Sequence, residues 1–420
     1  MRNVIAKLSI YSQKSKRLEV AQFLYAFSIS CGWYIEDGYR RIALLLALLL
    51  LWKSTSCNCY TFSDNVLFKV QKITLIALSV WFTFVPLFGG AAAINERISD
   101  MARPIEVILY SIVGWRLAKE QSFIELFYRL SCISAVFLSV VVFFYRLHVS
   151  FSTLREHWFF DMRAEFAGII LLSLIPWLYC FIFEKGKIPI KKNILYYGVL
   201  LLAIISITVT YYRNVWVAWI VQFAVALILL PRVFHVRWRD SLNKAIIILI
   251  VCICMGGWAY DNNYEIRDNI NSFIRFYKDA DLDHFSSKRV EIWREAISLI
   301  RERPIVGYGW CDYNEFATIK KYNPHSSYLQ AAFIGGIPGA LLYCCVLILL
   351  WWQCILNIFY RQRNINISYA VVLMLTATII AGMTESYIYV GREYLIPFWS
   401  IISVFVSSSS RDKMLKQISL

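Results

Sequence analysis

Apolar residues fall along this chain in runs of roughly 20, the length a helix needs to cross the hydrocarbon core of a bilayer. Twelve such runs are predicted, at about 19–35, 41–52, 73–92, 104–117, 130–146, 165–183, 194–212, 214–231, 245–260, 335–358, 367–384 and 394–408. The second is short; in the others ionisable residues are almost absent from the centre. The first run lacks a small-residue cleavage site and is followed by many more, so it is expected to remain as a membrane helix and not to be removed as a leader. The pattern predicts an all-α polytopic membrane protein of about twelve transmembrane helices with one large loop. Residues 1–260 carry the first nine spans, 261–326 form the loop, and 327–420 carry the last three.

The polar positions fix an orientation. Hydrophobic residues make up 59% of the chain and charged residues 17%, where a soluble domain carries about a quarter charged. A net charge of +15 would suggest nucleic acid in a soluble protein. Here, with the N-terminus placed in the cytoplasm, 24 of the 43 Lys and Arg lie in cytoplasmic segments and 19 outside. Ten of the outer ones belong to the large loop, and long loops report orientation poorly. The positive balance therefore reads as topology, with membrane lipids and no nucleic acid as its surroundings. Of the eleven cysteines, Cys31, Cys132, Cys180, Cys252, Cys254, Cys344, Cys345 and Cys354 sit inside apolar runs, where a thiol behaves as a small hydrophobe. Cys57 and Cys59 form a C-x-C without a second Cys/His pair, so no zinc site is predicted.

The loop at 261–326 is polar and too long for a turn, and loops of that size usually serve a purpose. Arg289, Trp293, Ala296 and Ile300 recur at helical spacing, which predicts a helix ended by Pro304 and followed by a turn with Gly307 and Gly309. Two arginines stand out on the outer side. Arg213 lies in the short connection Tyr211-Tyr212-Arg213-Asn214, and Arg289 heads the loop helix. A guanidinium fork binds phosphate oxygens bidentately and stays charged at any working pH. An interfacial arginine also serves as a snorkelling anchor, and the residues alone leave both readings open. His325, in Asn323-Pro324-His325-Ser326, falls where the chain re-enters the membrane. A neutral imidazole there takes a proton from a hydroxyl; the other reading is a capping or buried histidine. Glu385, between the last two spans, and Arg392 either line the same outer cavity or pair at the surface. Asp281-Leu282-Asp283 has the form of a metal-holding D-x-D but sits in an acidic outer stretch and reads as solvated loop. His148, His157 and His284 show no metal-ligand spacing.

Taken together, these segments resemble the O-antigen ligase family, within the broader group of O-antigen polymerases and bacterial O-oligosaccharyltransferases. The residues that carry the resemblance are Arg213 after a mid-chain span; Arg289, Trp293 and Ala296 in the loop helix; Pro304, Gly307 and Gly309; and His325-Ser326 with Leu329, Gly336 and Gly339. Arg213 is followed by Asn-Val-Trp, a departure from the small residues of the pattern. The resemblance implies a transferase that moves a glycan from undecaprenyl pyrophosphate to a hydroxyl of lipid A–core on the periplasmic face of a bacterial inner membrane. It implies that Arg213 and Arg289 hold the pyrophosphate and that His325 is the acceptor-side base; Glu385 and Arg392, from their place between the last two spans, are expected to contribute to substrate binding. No metal, nucleotide or other cofactor is implied. The near alternative is an O-antigen polymerase, whose acceptor is a second lipid-linked glycan. The distant one is a polysaccharide flippase, which clean spans without paired halves disfavour.

Overall fold

A computed structural model of the chain describes residues 2–31, 37–54, 66–85, 120–148, 164–184, 190–210, 212–235, 289–311, 313–319, 323–360 and 365–385, with scattered positions at 105–117 and 237–271. Among the described residues the chain is helical, without strands. Its long helices are α1 (Arg2–Cys31), α2 (Asp37–Ser54), α3 (Val66–Phe84), α4 (Gln121–His148), α5 (Ala164–Glu184), α6 (Ile190–Thr208), α7 (Arg213–Phe234), α8 (Arg289–Glu302), α9 (Ser327–Phe359) and α10 (Ile365–Ala381). Among the described residues, three segments are long and apolar enough to cross a membrane by length and composition: Ser122–Phe144, Arg213–Phe234 and Ser327–Phe359. Shorter apolar helices accompany them at Arg41–Leu51, Ile73–Phe84, Ala167–Phe183, Tyr197–Thr208 and Ile365–Ala381. This is a helical membrane protein. The predicted run at 394–408, nearly all of that at 245–260 and most of the loop before residue 289 lie outside the described residues.

Helix α10 is apolar on every side and sits at the centre. Tyr369 through Leu375 are fully buried, and α5, α7 and α9 pack around it. Lipid tails are as apolar as leucine, so these contacts gain little from the hydrophobic effect; close packing and interhelical hydrogen bonds hold them instead. Gln222 of α7 provides the central bond. It is fully buried, and its Nε2 donates to the carbonyls of Leu172 on α5 (2.7 Å) and Leu373 on α10 (3.1 Å). One turn further, Tyr369 donates its hydroxyl to the Ala226 carbonyl at 3.0 Å. At the far end of α7, Arg232 donates to the last-turn carbonyl of Phe359 (3.0 Å) and lies over its ring. A cation suits that helix terminus.

Helix α9 begins at Ser327, eight residues before the apolar run predicted at 335. The polar start of the helix interrupts the hydropathy pattern without interrupting the helix. The backbone breaks later, at Gly336, which has φ 65° and ψ −172°. The break frees main-chain groups, and the loop satisfies them. Pro338 has no N–H to give the Ile334 carbonyl; Gly309 N–H donates there instead, at 2.9 Å. Ile337 N–H turns from Phe333 to the Pro304 carbonyl (2.7 Å), and Tyr308 N–H takes its place on the Phe333 carbonyl (2.8 Å). Trp81 of α3 donates its Nε1 to the Gly335 carbonyl at 2.7 Å, and Trp310 donates back to the Phe82 carbonyl at 2.9 Å. The predicted turn after α8 is thus stitched into the kink of a membrane helix. Ile292, Ala296, Leu299 and Ile300 form the buried face of α8. Of the residues predicted on that face, Ala296 and Ile300 are buried and Arg289 and Trp293 only partly so, because Ile292 and Leu299 share the packed stripe.

The stitch leaves no room for a Cβ. One added at Gly336 would lie 2.3 Å from the Ile305 carbonyl oxygen, in a conformation that side chains rarely adopt. Gly336→Ala is therefore expected to lower thermal stability by more than about 2 kcal/mol, from a clash added to a left-handed strain of roughly 1–2 kcal/mol. Gly198 meets nothing within 4 Å, so Gly198→Ala should hold or raise stability by up to about 1 kcal/mol. Thermal unfolding of the two purified variants beside the parent checks both; equal melting would remove the stitch as a constraint.

Candidate functional site

Four chain segments meet where α7, α8 and α9 begin and α10 ends. Arg213 is the first residue of α7, preceded by Tyr212 in extended backbone. Its height is set by α5, because Gly168 presents no side chain to Val215; a Cβ there would lie 2.9 Å from a Val215 methyl. Arg289 is the first residue of α8. The Arg213 and Arg289 guanidiniums are close enough to repel each other, and Asp268 offers Arg213 a compensating charge.

His325 is neither buried nor a cap, the two alternatives left open by its sequence. Asn323 Oδ1 accepts the His325 N–H at 2.8 Å and so shapes the turn. Ser326, extended at φ −157°, is the N-cap of α9. Between them His325 sits at φ 49°, a left-handed conformation uncommon for a residue with a side chain. Such strain persists only where surrounding contacts hold it. Here the contact is Glu385: His325 Nδ1 lies 2.9 Å from its Oε1 and 3.2 Å from its Oε2.

Glu385 follows the turn that closes α10. Ser327 fixes its main chain, donating its hydroxyl to the Glu385 carbonyl (2.9 Å) and its N–H to the Gly382 carbonyl (2.8 Å). The carboxylate is only 5% exposed, against 26% for Arg289 and 28% for His325. Arg289 Nη2 donates to Oε2 at 3.2 Å. One buried carboxylate therefore bridges a half-exposed guanidinium and a half-exposed imidazole. Of the two readings open for Glu385, the structure brings it to the same cluster as Arg289 and His325. Arg392, the D-x-D at Asp281 and Asp283, and His157 and His284 lie outside the described residues.

Two tyrosines of the docked loop act as donors, Tyr308 to Glu302 and Tyr313 to the Ile292 carbonyl. Burial, then the hydrogen bond to Glu302, pushes the Tyr308 hydroxyl up to about 12. Burial, then Glu295, raises Tyr313. Both stay protonated at neutral pH. With Nδ1 on the carboxylate, the ring nitrogen of His325 left to face a substrate is Nε2, an arrangement in which an acid orients an imidazole for proton transfer. Sequence reasoning missed Asp268, Ser327 and Asn323. Asn323 two residues before His325 is a recognisable turn signal; the other two act through the fold alone.

A family model described as O-Antigen ligase matches residues 198–344. The matched segment holds Arg213, Arg289, His325 and the kink at Gly336, and it ends before Glu385. No curated protein matches the chain. The resemblance seen in the motif residues and the match agree: over residues 198–344 the chain is similar to the O-antigen ligase family.

Proposed function

We propose that this chain is an O-antigen ligase with about twelve spans, acting on the periplasmic face of the inner membrane. It transfers a glycan from undecaprenyl pyrophosphate to a hydroxyl of lipid A–core. The observation that carries the reading is the convergence of Arg289 and His325 on Glu385, with Arg213 within electrostatic reach. Two forked cations suit a pyrophosphate, and an oriented imidazole beside them suits a hydroxyl acceptor.

In this mechanism the acceptor O–H gives its proton to His325 Nε2 while its oxygen bonds to the anomeric carbon of the donor sugar. The bond from that carbon to the pyrophosphate oxygen breaks, and the electron pair leaves with the pyrophosphate. Arg213 and Arg289 stabilise the charge that develops there. A single displacement inverts the anomeric centre. The donor bond supplies the energy, and a good leaving group needs neither metal nor acid. Arg392, between the last two predicted spans, is assigned to substrate binding, and Glu385 acts on the substrates through Arg289 and His325.

Arg213→Ala and Arg289→Ala are each expected to lower transfer about 10²-fold or more, with Lys restoring only part because a point charge does not copy the fork. His325→Ala should lower transfer by about 10²–10⁴-fold while donor binding persists. Radiolabelled transfer and donor-binding assays on purified variants check these outcomes; full activity in Arg289→Ala would remove that residue from the site. EDTA is expected to leave the purified enzyme active, and loss restored by magnesium or manganese would return Asp281 and Asp283 as ligands. In cells, a null strain is expected to make lipid A–core without O-antigen while long chains stay on undecaprenyl pyrophosphate. Core carrying a single repeat unit would make the chain a polymerase instead.

A further inference from the structure

The guanidinium assigned to the donor is also a partner of the carboxylate that orients the base. Glu385 Oε2 accepts from Arg289 Nη2 at 3.2 Å and lies equally far from His325 Nδ1, while Oε1 is 2.9 Å from the same nitrogen. The carboxylate is buried, so it divides a single charge between two partners with little water to share the load. Arg289 feels Arg213 as a like charge, which makes an anion between the two guanidiniums favourable. A pyrophosphate carries more charge than a carboxylate and offers oxygens to both forks at once.

Taking Arg289 as a pyrophosphate ligand, as above, we propose that Glu385 is a positioning residue that couples donor binding to acceptor activation: the donor draws Arg289 away from Glu385, and the freed carboxylate then serves His325 alone. Glu385 has two opposed effects in this scheme. It competes with the donor for Arg289, and it sustains the base that the donor's arrival makes useful. Acceptor deprotonation is then tied to a filled donor site, and binding is ordered, donor first. Arg213 with Asp268 keeps a cation in place for the incoming pyrophosphate while Arg289 is still engaged.

The test uses the full chain in detergent, with undecaprenyl pyrophosphate as the binding probe and single-turnover transfer as the second readout. Glu385→Gln is expected to bind the probe about fivefold or more tightly, because Arg289 is released, and to transfer about 10²-fold or more slowly, because His325 loses its partner. Opposite movements of affinity and rate are not produced by simple loss of structure. The gain in affinity should vanish when Glu385→Gln is placed on Arg289→Ala, since the coupling runs through that contact. If Glu385→Gln fails to insert, Glu385→Asp keeps the charge but is one methylene shorter, and should move both readouts in the same directions. Unchanged or weaker binding in the Glu385 variant, with binding weakened in Arg289→Ala, overturns this inference and leaves the proposed function standing. Undiminished binding in Arg289→Ala overturns both.

Discussion

A carboxylate taken out of water stays ionised only where cations and donors replace the water it lost. Glu385 meets that requirement with a guanidinium on one side and an imidazole on the other, and the local architecture follows from delivering both. Arg289 must head its helix at the height of the α10 turn. His325 must take a left-handed backbone to present Nδ1, and Ser327 must hold the Glu385 main chain so that the side chain points inward. Removing one partner would leave a buried charge half-compensated, so the cluster is stable as a whole and costly in parts.

A second requirement, satisfaction of the main chain, brings Arg289 to that height. The break at Gly336 and the missing donor of Pro338 leave carbonyls in α9 that membrane surroundings cannot hydrate. The Tyr308 and Gly309 amides answer them, and the Pro304 carbonyl takes the amide that the kink releases. These bonds tie the end of α8 to a membrane helix at a fixed register. Gly307 and Gly336 are needed because backbone passes against backbone there: a Cβ on either would meet main-chain oxygens at 2.6 Å or less. Trp81 and Trp310 add reciprocal bonds to α3. The loop is therefore docked largely through its backbone, which leaves Arg289 at the start of α8 to reach Glu385.

The sequence already pointed to Arg213 and His325, which sit where an apolar run meets a polar segment, and to Arg289, which heads the loop helix, although a solvated or capping residue would serve at each place as well. The helix at 289–302 was legible from spacing, and so were most of the apolar helices, since hydropathy reports burial directly. What the sequence could not show is pairing over distance. Glu385 is 60 residues from His325 and 96 from Arg289, and no periodicity connects them. The start of α9 at Ser327 was hidden because serine, glutamine and glycine break a hydropathy window without breaking a helix. The kink shows only as Gly-Gly and Pro in the sequence; that its freed carbonyls take amides from a turn 25 residues upstream is a property of the fold, as Gly309 N–H on the Ile334 carbonyl illustrates.

The site joins residues of the membrane bundle to residues of the loop docked on it. Arg213 and Glu385 belong to the membrane bundle. Gln222 and Tyr369 lock α7 to α10, and the close approach at Gly168 sets the start of α7 against α5. Arg289 belongs to the docked loop, whose register is set by the bonds at the kink, and His325 to the turn that leads into α9. The proposed group transfer would gain most from holding the reacting groups in one geometry, because an ångström of misplacement is felt strongly in rate. An arginine of the proposed donor site would lose that advantage on a free loop. Fastening α8 to the kink of α9, and α9 to the end of α10 through Ser327, gives an arginine in a connecting segment nearly the rigidity of one on a membrane helix. The bridging carboxylate is where the side chains from these segments meet, so its contacts with Arg289 and His325 report whether all are in place.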